Sequence, residues 1–77
     1  YRRQLNQVLV EPLTPREIEI LDLIAQRASN KEIAQHCSIE ISTVKSHVSS
    51  ILGKLGARSR RQAVQYAKEI GLLPASA

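Results

Sequence analysis

The stretch STVKSHVSSILGKL, Ser42 to Leu55, decides how this chain is read. On a 3.6-residue period, Val44, Val48, Ile51, Leu52 and Leu55 fall on one stripe, while Ser42, Lys45, Ser46, Ser49, Ser50 and Gly53 cover the rest of the helix surface. The stripe is wholly aliphatic. The remainder is hydroxyl, glycine or cation, with no carboxylate. A solvated helix face ordinarily mixes long side chains of both signs, so an acid-free face of small residues points to a helix pressed against a polyanion. The expectation is a helix that enters a nucleic-acid groove.

The charge map extends that footprint beyond one helix. Residues 1 to 40 hold five Lys or Arg against six Asp or Glu, whereas residues 41 to 68 hold six basic residues and no acid. Such asymmetry suits an anionic partner, although sign alone does not separate DNA from RNA or a membrane surface. With 77 residues the chain makes at most one domain with a small core. No methionine is present, so the sequence reads as part of a longer protein with other domains. No run approaches the roughly 20 apolar residues that span a bilayer, and no signal-peptide order opens the chain. A soluble cytoplasmic protein, on the nucleoid and off the membrane, is expected.

Working outward, three more helices and their caps are legible. Thr14, Pro15 and Glu17 form a cap, a first-turn proline and the third residue of a capping box. They open a helix running to about Gln26, with Ile18, Leu21, Ile24 and Ala25 as its stripe and Ile20 and Leu23 flanking. Ser29 or Asn30 caps a second, short helix that buries Ile33, Ala34 and Cys37. After a joint of Ser38, Ile39 and Glu40, the third helix starts at Ile41 or Ser42. The earlier start is preferred because it puts Ile41 within the apolar stripe. Gly56 ends that helix in a left-handed cap. Ser59 with Gln62 makes another capping box, opening a fourth helix whose inward stripe is Ala63, Ala67 and Ile70, stopped by Gly71 and Pro74. Residues 1 to 12 read as a linker or the end of an upstream region, 13 to 73 as the domain, and 74 to 77 as a disordered tail. The fold class is all-α, a four-helix bundle.

Two helices joined by about three residues, the second basic and hydroxylic on its outer face, make a helix-turn-helix. Ala34 is small where the two helices cross. The runs LTPREIEIL at 13 to 21, SNKEIA at 29 to 34, TVKSHVSSILGKLGARSR at 43 to 60 and QAV at 62 to 64 then sharpen the reading. In order and spacing, Leu13 to Leu73 resembles the C-terminal DNA-binding domain of the LuxR family, the GerE-type four-helix domain of bacterial transcription regulators, over about four-fifths of the chain. The resemblance implies a helix after the turn, about 41 to 55, in the major groove of double-stranded DNA. It also implies pairing of two copies through helix 4, with Val64 and Tyr66 as contact residues. RNA polymerase is kept as a further partner of such a regulator.

Carried over by position, Lys45 matches the family's groove lysine, and Ser46 and Ser49 stand at variable positions that tune base choice. Ser42 joins them as base-facing. Thr43, His47, Asn30, Lys31 and Arg60 match positions that hold the DNA backbone or the local framework. Ser50, Lys54, Arg58 and Ser59 complete the backbone-facing set, with Arg61 as further positive charge. Two departures stand out. Glu40 occupies a position usually held by a Ser or Thr cap, and Ile41 replaces a usually polar residue, its own side chain being either buried or placed against a thymine methyl.

Other classes find less support. The terminal region of a sigma factor shares an LTPRE-like opening, but its recognition helix is typically rich in Arg and Gln. A helical module with a basic face for an acidic protein stays as a third reading. Ser46 and His47 are adjacent, hence about 100° apart on a helix, and no third group orients the imidazole. Cys37 is the lone cysteine, and His36 and His47 do not share a helix. No catalytic role, metal or cofactor is expected.

Overall fold

The computed structural model describes residues 12–73. Apart from Pro12, the linker expectation over 1 to 12 and the tail expectation over 74 to 77 lie outside them. Four α-helices follow in order: α1 Pro15–Ala25, α2 Asn30–Cys37, α3 Ile41–Leu55 and α4 Arg60–Glu69. Among the described residues no strand is present, in keeping with the all-α expectation.

The caps explain where each helix starts. At α1 the Glu17 amide donates to Thr14 Oγ1 (3.1 Å) and the Thr14 amide donates to Glu17 Oε1 (2.9 Å), so two otherwise orphan donors are satisfied reciprocally. Ser29 and Glu32 repeat the arrangement at α2, at 3.1 and 2.7 Å, which settles the choice between Ser29 and Asn30 in favour of Ser29. The expected box at α4 is altered. Ser59 accepts from the Gln62 amide at 3.1 Å, but the Gln62 carbonyl oxygen accepts from Arg58, one residue before the cap, at 2.7 Å. Glu40 precedes α3 without any side-chain cap bond, and the helix begins at Ile41.

All four helix ends use left-handed residues, Gly71 (φ 86°) serving α4. Gly56 (φ 68°) ends α3, with the Ala57 amide returning to the Leu52 carbonyl at 2.9 Å. Arg27 (φ 67°) and Ser38 (φ 58°) do the same after α1 and α2 without being glycine. The Ile39 amide returns to the Ala34 carbonyl at 3.0 Å, so the Ser38 turn closes tightly enough to redirect the chain into α3 within three residues.

The core sits around α3, which packs on each of the other helices, while α1 also meets α2 and α4. Ile20, Leu21, Ile33, Val44 and Ile51 are fully buried, with Leu13, Ile24, Ala34, Cys37, Val48, Ala63, Ala67 and Leu73 around them. Three expectations need correction. In α1 the centre of the stripe is Ile20 with Leu21, not Ile18, which is only half-buried, because the neighbours lie to that side. Ile70 is 47% exposed: α4 has ended at Glu69, and the chain turns through Gly71 (φ 86°) to bring Leu73 back into the core instead. Ile41 is 43% exposed, since the first residue of α3 extends past the end of the core that covers Val44 and Val48.

Candidate nucleic-acid interface

The helix-turn-helix forms where the sequence places it. Ile33 and Val44 are buried on the facing sides of α2 and α3, Ala34 is buried beside them, and Ile39 is half-buried in the turn. With Val44, Val48 and Ile51 turned inward, Ser42, Lys45, Ser46, Ser49 and Gly53 are all exposed on the outer side of α3. Thr43 and His47 lie half-buried at its edge. The outer side is therefore a continuous strip of three hydroxyls, one ammonium and a glycine. No carboxylate follows it until Glu69.

The other site residues divide into two groups. Lys31 is exposed on the first turn of α2, and Arg58, Ser59 and Arg61 are exposed at the start of α4. Asn30 Oδ1 accepts from the Arg60 guanidinium, which ties the beginning of α2 to that of α4. This bond joins two helix starts that are 30 residues apart in sequence.

Ser50 and Lys54 belong elsewhere, and their assignment to the DNA backbone is corrected. Ser50 Oγ donates to Glu17 Oε2 at 2.7 Å, and Lys54 Nζ donates to Glu17 Oε1 at 2.8 Å and to the Pro12 carbonyl at 3.2 Å. The Lys54 and Glu17 side chains are only 17% and 6% exposed. Burial pushes the Glu17 carboxyl up, but hydrogen bonds from Lys54, the Thr14 amide and Ser50, with the Lys54 charge, more than offset this and hold it at about 2, below the usual 4.5. The lysine thus holds α3 against α1. Glu17 was legible only as a cap residue, although its spacing from Ile20, Leu21 and Ile24 puts it on the buried face.

On α4, Val64 and Tyr66 are both half-buried. Two positions apart on a helix, they are about 200° apart around its axis, and they flank the buried Ala63 and Ala67 on opposite sides. Val64 lines an open groove of about 580 Å³ with Ile24, Ala25 and Ala28, rimmed by Arg27, Arg60, Arg61 and Lys68. Among the described residues no three His, Cys, Asp or Glu side chains are placed to share a metal ion. No described helix is long and apolar enough to cross a membrane.

Comparison with known proteins agrees with this geometry. The family model for bacterial regulatory proteins of the LuxR family, GerE, matches residues 11–67. Response regulator protein VraR of Staphylococcus aureus is 55% identical over 65 residues, which are 84% of this chain and 31% of VraR, so the chain spans about a third of the curated relatives it matches. Response regulator ChrA of a heme-sensing two-component system superposes with a TM-score of 0.80 at 35% identity, over 88% of this chain and 34% of that one. Transcription factor GerE superposes with a TM-score of 0.75 at 38% identity, covering 79% of this chain and 91% of its own. The chain therefore belongs to the LuxR family of bacterial regulatory proteins.

Proposed function

We propose that this chain binds double-stranded DNA with sequence preference, as the output domain of a bacterial transcription regulator, with the outer side of α3 in the major groove. The observation that carries the reading is the exposed strip Ser42, Lys45, Ser46 and Ser49 on a helix whose opposite side is locked into the core. A major groove about 12 Å wide admits one α-helix, and the side chains that reach base edges must lie on its outer side. Lys45 is the long arm, suited to guanine O6 or N7. The three serines donate or accept at short range and discriminate weakly, so direct readout is sparse.

Phosphate contacts supply most of the affinity in this reading. Lys31, Arg58, Arg60 and Arg61 are the four cations, Arg60 reaching the backbone while braced by Asn30, and Thr43, His47 and Ser59 contribute polar contacts at the edge. A second copy pairs through α4 on a two-half-site operator, with either Val64 or Tyr66 at the centre of the contact, since they lie on opposite flanks. In this role the protein works in the cytoplasm, on the nucleoid, with RNA polymerase as its further partner.

Titration of the chain with a mixed-sequence duplex at two salt concentrations tests the reading. Four phosphate contacts give a log–log salt slope of about −3.6, so binding weakens about a hundredfold between ~50 and ~200 mM salt. No binding at the lower salt overturns the proposal. Sedimentation on a duplex carrying two half-sites tests pairing, and a single bound copy at saturation overturns it.

A further inference from the structure

Only two large hydrophobic residues are exposed among the described residues, and one of them, Ile41, is the first residue of the helix assigned above to the major groove. Its exposure has a structural cause. The neighbouring Ile39 is half-buried in the turn and Val44 and Val48 are buried further along α3, so Ile41, the first residue of the helix, lies past the end of the core. On the helix, Ile41 lies one turn before Lys45, on the same side. Lys45 is exposed and directed outward. A helix-turn-helix presents the N-terminal residues of its second helix to base edges, and Ile41 is the most N-terminal of them.

The local electrostatics favour a base over a phosphate at this end. Glu40, exposed and immediately before Ile41, makes no cap bond with its side chain, so its carboxylate stays beside the helix start and repels a phosphate there. An aliphatic side chain has no hydrogen bond to offer, and the one apolar group on the major-groove edge of a base pair is the C5 methyl of thymine. Resting on the DNA-binding reading, we propose that Ile41 is a specificity-determining residue that packs on a thymine methyl, one step along the groove from the base that Lys45 reaches.

The test begins with duplexes selected by the wild-type chain from a random pool. Each thymidine of the selected site is then replaced singly by deoxyuridine, which deletes the methyl group and keeps the base pair. Affinity is measured for the wild type and for Ile41→Ala, whose folding is checked by thermal melting, as this exposed position leaves the core intact. Loss of one buried methyl contact weakens wild-type binding about three- to fivefold. The effect is expected at one thymidine per half-site. Ile41→Ala is expected to lose this sensitivity at that position and to keep the wild-type salt slope. Wild-type binding that is indifferent to every replacement, a selected half-site without thymine, or equal sensitivity in Ile41→Ala overturns the assignment while leaving DNA binding intact. Failure of the wild type to bind any duplex overturns the parent reading and this one together.

Discussion

Replacing Glu17 by Gln separates the charge of the buried carboxylate from its shape. Glutamine still accepts from the Thr14 amide, as the capping box permits, and still reaches Ser50, but it leaves the Lys54 ammonium without its counter-charge. The magnitude follows from the depressed acidity. At about 1.4 kcal/mol per pH unit, the fall from 4.5 to about 2 makes the carboxylate about 3 kcal/mol more favourable in the folded chain than in the unfolded one. A domain of this size holds roughly 3–9 kcal/mol in total, so Glu17→Gln removes a large share. At about 4–8 °C per kcal/mol, the melting temperature falls by about 10–25 °C at neutral pH.

The pH dependence is the sharper readout, because its sign is fixed. A carboxyl whose folded value lies below its unfolded value contributes fully above about pH 5 and loses that contribution as the pH falls toward 2. Urea unfolding of the wild type should show about 2 kcal/mol of stability lost from this site between about pH 6 and about pH 3. The Glu17→Gln protein should lack that portion of the loss. A variant within about 0.5 kcal/mol of the wild type at neutral pH, or one with the same acid loss, would refute the reasoning.

Other outcomes follow from the same geometry. Lys54→Met should lose stability comparable to Glu17→Gln and leave the salt slope of duplex binding unchanged; a slope flatter by about one unit would return Lys54 to the phosphate contacts. Lys45→Ala should cost about 1–3 kcal/mol on the selected site and less on random duplex, and equal losses on both would make it a phosphate contact. Gly53 lies on the outer side of α3, and a Cβ there meets nothing within 4 Å. Gly53→Ala should therefore raise stability by about 0.5–1 kcal/mol, and weaker duplex binding by this stabilised protein would show that the DNA approaches the helix backbone closely at that point. A fall in melting temperature would contradict the open space.

Much of this fold can be read locally, because caps and left-handed turns depend on residues three or four apart. Thr14 with Glu17, Ser29 with Glu32 and Gly56 fall in that class. The apolar stripes are legible as well, but their ends are not. Ile41 and Ile70 continue a stripe on paper and leave the core in space, since periodicity does not say where a neighbouring helix stops. The flanks of α3 pose the same difficulty. Ser50 and Lys54 lie to one side of its apolar stripe, and only the position of α1, brought there by the tertiary fold, turns them from surface groups into partners of Glu17. The outer strip Ser42, Lys45, Ser46 and Ser49 was legible because it is what remains once the stripe is buried. The brace between Asn30 and Arg60 had no local signal beyond the family's positions.

Amide shift mapping by NMR during titration with a selected duplex tests the central claim most directly, since it reports each helix face separately. The largest changes should fall on Ser42, Lys45, Ser46 and Ser49, with smaller ones at Lys31 and Arg61 and little at Glu69, about two turns beyond Arg61 on α4. Changes concentrated along the groove of Ile24, Ala28 and Val64, with residues 42 to 49 silent, would contradict the assignment of α3 to the DNA.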